Sequence, residues 1–520
     1  MRRRTFLQSA GLLGAASFVG PAHVLAASRQ SARYFDLHPF LAAHPEAVFI
    51  QHTTSATRYD EPSKKEAGLA LARQLFRGRE DGGTPLSHKI ALKPNMAGPT
   101  DASFVEGLIE GMKELGLAGE QFYLREGNVL ADGYHPNGDE LNPFRPVATR
   151  TGARLNQLDS GRQMYQASLA DLQEGTEVIW KEVPGGVIFR RLGYVAPTNA
   201  PDAWNLSVAK LKAHGMGLTL CSKNWQGTTV VPHIHFCERL DQLVTAERPA
   251  AFVADVNPEY LDNVTRLHAQ HLQAGVPRWD RPGSDYNSGW GMEGWAQKTV
   301  DNLSVSPIGV SIIEGIWAGN ALTHVLLFGI NPVKVDIIGH WLGGHEPGNF
   351  GFFHAARDRG LTDQLNPRWI PVYDWNDGVP ALLSLEDLAR TPIPSYYLRR
   401  DYGGQTETEY HLVNEPFDYG TNTAVLSPED AQPGVWVLRP NYPNPFNEAT
   451  LIEYRLPKEA RVRLEVRDTL GQVVDVLVDG RQPAGAHVAA WSAPRRASGT
   501  YFCRLLGEGF EQTRRMTLLR

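Results

Sequence analysis

Lys210, Lys212 and His214 fall at alternate positions of Asn205-Leu206-Ser207-Val208-Ala209-Lys210-Leu211-Lys212-Ala213-His214. A continuous strand through this block would turn all three to one face. Three potentially cationic groups on one face suit a carboxylate or phosphate ligand, each lysine acting as a point charge and His214 as a proton carrier. Lys223 and Asn224, in Cys221-Ser222-Lys223-Asn224-Trp225-Gln226-Gly227, and Lys93 and Asn95, in Lys89-Ile90-Ala91-Leu92-Lys93-Pro94-Asn95, extend this set with two more cations and two amides. The competing reading is a solvated lysine face, which the small and apolar neighbours weigh against.

Downstream, His233, His235 and Cys237 in Pro232-His233-Ile234-His235-Phe236-Cys237 share one face of any extended segment, a spacing that could ligate a divalent metal such as zinc or iron. The alternatives are a hydrogen-bonding His pair and a disulfide between Cys221 and Cys237. Two carboxylates stand out: Glu314, within Ile312-Ile313-Glu314-Gly315, and Asp336, within Asn331-Pro332-Val333-Lys334-Val335-Asp336. Each is read as following or interrupting an apolar strand-like run. A carboxylate there is costly to bury alone, so it would serve as a general base, a metal ligand or the ion partner of a lysine. A helix N-cap or an internal salt bridge is the plainer reading. His340, His345 and Glu346 form a second group among glycines, where capping or surface roles are expected.

The elements that must position these residues read as an α/β domain with a mostly parallel sheet. Pro62 opens a helix carrying Ala67, Leu69, Ala70, Leu71, Leu75 and Phe76. Lys89–Asn95 reads as a strand ending in a Pro-fixed loop. Thr100 or Asp101 caps a helix whose Phe104, Val105, Leu108, Ile109, Met112 and Leu115 form one apolar face ended by Gly116. Phe122–Leu124 is the next strand. In such a sheet ligands sit at the C-terminal ends of the strands, where Lys93, Asn95 and Arg125 fall. Residues 278–294, rich in Gly, Asp, Trp and Tyr, read as a long loop or lid-like insertion.

The chain has 520 residues, 42% hydrophobic and 21% charged, which excludes collagen-like, coiled-coil and disordered classes and predicts more than one domain. Three of the 51 basic residues, Arg2, Arg3 and Arg4, lie in a leader, leaving about 48 against 57 acidic residues. The resulting acidic balance argues against nucleic acid or anionic membrane as partner. Cys221, Cys237 and Cys503, with no Cys-x-x-Cys, exclude a disulfide scaffold, a zinc ribbon and an iron-sulfur cysteine motif.

Both ends read as addresses. Arg3-Arg4-Thr5-Phe6-Leu7, the apolar run from Leu12 to Val19 and the small-residue exit Val24-Leu25-Ala26-Ala27 read as a signal peptide over 1–26, too short to span a bilayer. The arginine pair with its weakly hydrophobic core resembles a twin-arginine export signal, which implies the twin-arginine translocase as partner and a folded cargo. Residues 433–520 show period-two strands at 450–456, 462–466, 473–478, 486–491, 499–506 and 512–519, which fit an immunoglobulin-like sandwich. Their motifs are Asn441-Tyr442-Pro443-Asn444-Pro445-Phe446-Asn447, Asp468-Thr469-Leu470-Gly471-Gln472-Val473-Val474, Ala484-Gly485-Ala486-His487 and Ser498-Gly499-Thr500-Tyr501-Phe502. This order resembles the type IX secretion C-terminal sorting domain and the flagellar hook-capping immunoglobulin-like domain. The resemblance implies the type IX machinery as partner and passage through the periplasm to the cell surface or the medium.

Between them, residues 27–432 form the α/β domain, and its segment 89–361 resembles the family named domain of unknown function 362. The matching stretches are Leu92-Lys93-Pro94-Asn95, Arg125-Glu126-Gly127, Lys210-Leu211-Lys212-Ala213-His214, Lys223-Asn224-Trp225-Gln226-Gly227, His235, Ile313-Glu314-Gly315 and Phe328-Gly329-Ile330-Asn331-Pro332-Val333-Lys334-Val335-Asp336. Glu314 stands where the family pattern has Asp before Gly, and Asn331 where it has Asp before Pro. Some relatives carry ferredoxin cysteines, which this chain lacks. The expectation is an exported protein, in its first form an enzyme acting on an anionic small molecule. Lys93, Asn95, Lys210, Lys223 and Asn224 would hold the ligand, while Lys212, His214, Glu314 and Asp336 would act on it, with a divalent metal assisting. The alternatives are a non-catalytic surface or secreted binding protein and an exported redox-cofactor protein.

Overall fold

Alternating apolar strands and amphipathic helices assemble around a nine-stranded sheet. The computed structural model describes residues 34–95, 100–125, 143–158, 160–161, 171–230, 243–244, 250–284, 287–318, 321–376, 378–395, 397–398, 413–419, 436–438, 441, 446, 449–456, 458–483, 485–493 and 496–519. In chain order the sheet contains β1 (Val48–His52), β2 (Lys89–Pro94), β3 (Phe122–Leu124), β4 (Arg154–Leu155), β5 (Ala203–Lys210), β6 (Val310–Ala318), β7 (Ala321–Gly329), β8 (Val372–Asp374) and β9 (Ala381–Leu383). Across the sheet they run β9-β8-β1-β7-β6-β5-β2-β3-β4. The pairs β8–β1, β6–β5, β5–β2, β2–β3 and β3–β4 are parallel, while β9–β8, β1–β7 and β7–β6 are antiparallel. The sheet is therefore mixed and mostly parallel.

The described helices are α1 (Pro39–Ala43), α2 (Glu61–Leu75), α3 (Ala102–Lys113), α4 (Arg145–Thr151), α5 (Cys221–Trp225), α6 (Ala250–Asp255), α7 (Tyr260–Gln273), α8 (Gly289–Val305), α9 (Pro332–Leu342) and α10 (Gly351–Asp358). The helices that cover the sheet divide between its two faces, and strand periodicity dictates how. Successive strand side chains point to opposite faces. Phe49, Val208, Ile312 and Leu326 enter one core with α2 and α3, whereas Ile50, Ala209, Ile313 and Leu327 enter the other with α5, α8, α9 and α10. The central strands β1, β5 and β6 are covered on both sides, which is why their sequences read as largely apolar runs.

Asp101 starts α3 by accepting from the amides of Ser103 and Phe104, so the sequence's capping signal is met. Its face of Phe104, Val105, Leu108, Ile109 and Met112 is buried, each side chain contributing roughly 1.5–3 kcal/mol. The helix closes through Gly116, whose φ of +111° suits glycine. Helices α2 and α3 touch backbone to backbone: a Cβ on Gly68 would lie 2.1 Å from the Phe104 carbonyl oxygen, and one on Gly107 1.9 Å from that of Lys65.

Three sequence expectations are corrected. The segment 278–294 is not one long loop, because Ser288 caps α8 through the Gly291 amide and the helix already begins at Gly289. Asp336 lies on a helix, not at a strand end, since Asn331 and Pro332 start α9 ahead of it. The block around Lys210 is not one strand: β5 ends at Lys210, and Lys212–His214 pairs instead with Gly217–Thr219 in a short hairpin.

The C-terminal strands are β10 (Val437–Leu438), β11 (Ala449–Leu456), β12 (Ala460–Arg467), β13 (Val473–Gln482), β14 (Gly485–Ser492), β15 (Gly499–Gly507) and β16 (Phe510–Leu518). They form two antiparallel sheets, β10-β11-β14 and β13-β12-β15-β16. Leu438, Ile452, Trp491, Val462, Leu464 and Leu505, drawn from both sheets, share one buried core. Among the described residues no helix is long and apolar enough to cross a membrane.

Candidate functional site

Strand parity separates the residues singled out from the sequence. Leu206, Val208 and Lys210 follow one another on the α2–α3 face, as do Ile312 and Glu314, and the in-register pairing sets Lys210 opposite Glu314. The Lys210 Nζ donates to both Glu314 oxygens, at 2.9 and 2.7 Å. Those oxygens also accept from the backbone amides of Ile316, at 2.9 Å, and Asp101, at 3.1 Å. The ammonium lies 4.1 Å from the centre of the Trp317 ring. Lysine and glutamate are 2% and 0% exposed, so this is an internal ion pair whose charges already satisfy each other. Asp101 in turn receives Lys64 Nζ at 2.5 Å, which ties α2 to the cap of α3.

Lys93 has the opposite parity and meets α5. Its Nζ donates to the Asn224 Oδ1 at 3.1 Å and to the Pro94 carbonyl at 2.7 Å. Asn95 Nδ2 donates to the same Asn224 oxygen at 3.2 Å, while Asn224 Nδ2 donates to the Lys93 carbonyl at 2.9 Å and reaches Ser207 Oγ at 3.4 Å. All three are buried, so Lys93, Asn95 and Asn224 form an internal polar floor that locks α5 to the ends of β2 and β5.

Asp336 fixes the other end of α5. Its two carboxylate oxygens accept from the amides of Cys221 and Ser222, both at 2.8 Å. Burial pushes its pKa up to about 7, against the downward pull of Ser222 and these amides. Its geometry is that of a cap for a short helix. Neither Asp336 nor any other carboxylate among the described residues hydrogen bonds to His214. Cys221 is a buried thiol whose Sγ donates to the Ile312 carbonyl at 3.4 Å.

The residues of the set that keep part of their surface at solvent are Lys212, His214 and Lys223. The hairpin carries the first two and α5 the third. His214 Nδ1 accepts from the Met216 amide at 3.1 Å, which leaves the neutral ring's proton on Nε2. Trp295 of α8 meets the ring edge to face, with centroids 5.2 Å apart. Burial, then the charges of Lys223 and Lys212, hold the imidazole well below its ordinary value. His214 is thus neutral near pH 7 and offers an N–H beside two ammonium groups.

His340 is buried in the last turn of α9, not placed at the surface as expected. Its Nδ1 donates to the Asp336 carbonyl at 2.9 Å and its Nε2 accepts from the Leu218 amide at 3.1 Å. Burial and the neighbouring His345 push it down to about 3. It supports the hairpin that carries His214. His345 is likewise buried and reaches the Ile393 carbonyl at 2.6 Å.

The metal candidates His233, His235 and Cys237 lie outside the described residues. Among the described residues no group of three or more His, Cys, Asp and Glu is arranged to hold a metal ion. Glu314 and Asp336, the two carboxylates considered for a divalent cation, are surrounded by N–H donors and do not converge with each other.

Sequence reasoning missed Trp295 and a second polar cluster, His271 with Glu293 and Asp358. Trp295 was hidden because α8 begins inside a glycine-rich stretch read as loop. The fold and this site define the class of an α/β protein with a lysine-histidine cluster beyond the strand ends of a mostly parallel sheet. No family model and no curated protein matches the chain.

Proposed function

We propose that this is an exported protein of the kind represented by domain of unknown function 362, which holds an anionic small molecule between Lys212, His214 and Lys223. The observation that carries the reading is a neutral imidazole whose remaining proton is a donor, held below its ordinary value by burial and then by the charges of Lys223 and Lys212. A carboxylate or phosphate oxygen would accept from Nε2 and lie between the ammonium groups. The aromatic Trp295 supplies one wall. Lys93, Asn95 and Asn224 act from beneath by fixing α5, and Asp336 does so from its other end.

Donation favours holding a ligand over abstracting a proton from it, because a general base needs a free ring nitrogen and Nδ1 is taken by the Met216 amide. The non-catalytic binding protein expected as an alternative is therefore the better-supported reading. Export by the twin-arginine route and sorting by the type IX machinery belong to the same proposal. An immunoglobulin-like sandwich for the C-terminal unit is supported by two antiparallel sheets sharing one core.

The test is calorimetric titration of the folded chain with inorganic phosphate, sulfate and small carboxylates, repeated for Lys212→Ala and His214→Ala. The expected result is binding by the unaltered chain and at least a tenfold loss in either variant, with the melting temperature nearly unchanged. Absence of binding to every anion, or equal binding by the variants, would reject the site.

A further inference from the structure

Three helices meet at a buried imidazole. His271 of α7 presents Nδ1 to Glu293 Oε2 of α8 at 2.6 Å and Nε2 to Asp358 Oδ2 at the end of α10 at 2.9 Å. A neutral ring has one N–H, so it would turn a lone pair toward one of these carboxylates; only imidazolium donates at both. Arg357 Nε donates to the other Asp358 oxygen at 3.2 Å, and Gln297 Nε2 to the other Glu293 oxygen at 2.8 Å. Two carboxylates then balance one imidazolium and one guanidinium. Removing the ring proton would leave a net negative charge in a place where Glu293 is 0% and His271 4% exposed.

The surrounding groups leave that balance intact. Arg359 is engaged by Gln297 and Asp301, at 3.1 and 3.2 Å. His354 of α10 donates to the Gly348 carbonyl and is held neutral, pushed down to about 3 chiefly by burial. Trp279 covers the His271 ring edge to face at 5.0 Å, and its indole donates to Tyr397, whose hydroxyl burial pushes up to about 12. His268 reaches the Trp279 carbonyl at 2.7 Å, and Arg278 is turned to Glu415.

We propose that His271 is a proton-dependent clamp that, as imidazolium, binds α8 to α7 and α10 and thereby positions Trp295 against His214. The statement about Trp295 rests on the anion-site reading; the clamp itself does not. Burial alone would lower the His271 value, but the hydrogen bonds to Asp358 and Glu293, with their charges, outweigh it and raise the value to about 9. The folded value exceeds the unfolded value of about 6.5, so the clamp's stabilisation is complete below pH 6.5 and is lost as pH rises through about 9. Between those limits the folding equilibrium constant falls roughly tenfold per pH unit on this account.

The test follows the His271 Cε1 proton resonance by NMR in the ligand-free chain, assigned by His271→Gln or by its displacement in Asp358→Asn. The expected midpoint is near pH 9, moving toward the ordinary histidine range in Glu293→Gln. A midpoint at or below 6.5 in the unaltered chain overturns the clamp. Sulfate affinity, measured over the same range because sulfate stays dianionic, reports the link to Trp295. Its loss should shift to lower pH in Glu293→Gln, and a loss that stays in place would refute the link. Failure of the unaltered chain to bind sulfate rejects the anion site while the NMR midpoint still decides the clamp.

Discussion

Glu314→Gln is the sharpest perturbation of the internal ion pair. The substitution keeps the side chain's size but removes its charge and one of two acceptor oxygens. Those oxygens serve Lys210 at 2.9 and 2.7 Å and the amides of Asp101 and Ile316. Lys210 stays buried at 2% exposure, facing a neutral amide in place of the carboxylate, with the Trp317 ring beside it. Removing one partner of such a pair costs about 3–5 kcal/mol, a large share of the roughly 5–15 kcal/mol by which domains are stable. Adding Lys210→Met replaces the stranded ammonium by an apolar chain of similar length. The double variant should then recover all but about 1–3 kcal/mol, the cost of an amide left without an acceptor. Urea unfolding of the full chain, followed by circular dichroism as a double-mutant cycle, measures both numbers. A loss below about 1 kcal/mol in Glu314→Gln, or a double variant no better than the single one, would refute the claim that the two charges are internal and mutually dependent.

Further outcomes follow from the same geometry. His340 and His354 are both held at about 3, below the unfolded value, so each withdraws stability as pH falls from about 6.5 toward 3, by about 1.4 kcal/mol per pH unit. His340→Gln or His354→Gln should each flatten the acid limb of a stability-against-pH curve, and an unchanged slope would contradict the assignment. Gly107→Ala should cost about 1–3 kcal/mol or more in urea unfolding, because its methyl would meet the Lys65 carbonyl at 1.9 Å. Gly480→Ala, with nothing within 4 Å, is the control that should leave stability within about 0.5 kcal/mol. Asp301→Asn should destabilise by about 1–3 kcal/mol, since that carboxylate accepts from the amides of Val187, Ile188 and Phe189, and a neutral result in thermal unfolding would show those amides satisfied otherwise.

Local signals with a physical cause were legible in the sequence. Asp101 followed by an apolar face gave α3, Pro62 gave the start of α2, and period-two alternation gave Thr450, Ile452, Tyr454 and Leu456 on one buried face of β11. Tertiary consequences were not legible. Lys210, Lys212 and His214 read as one strand face because period-two spacing is blind to where a strand stops. In the fold, Leu211 ends the sheet pairing and Lys210 turns to Glu314, a partner 104 residues away. Asp336 read as a strand-end acid because Val333, Val335 and Ile337 suit a buried strand as well as a buried helix. Asn331 and Pro332 decided for the helix. The pairing of His271 with Glu293 and Asp358 joins three helices and leaves no trace in local spacing.

The contact of α2 with α3 through Gly68 and Gly107 has a consequence for how this architecture tolerates change. Where two helices meet through main-chain atoms, their separation is set by covalent dimensions and not by the choice of side chain. Lys64, one turn before Gly68, then meets Asp101 at a distance that substitutions elsewhere in either helix leave alone. The end of β2 and the start of α3 are thus two fixed points: Lys93 and Asn95 are anchored on Asn224, and Asp101 on Lys64. Substitutions on the outer faces of α2 and α3 can therefore accumulate while these two anchors keep their separation, as a bridge keeps its abutments when the parapet is replaced.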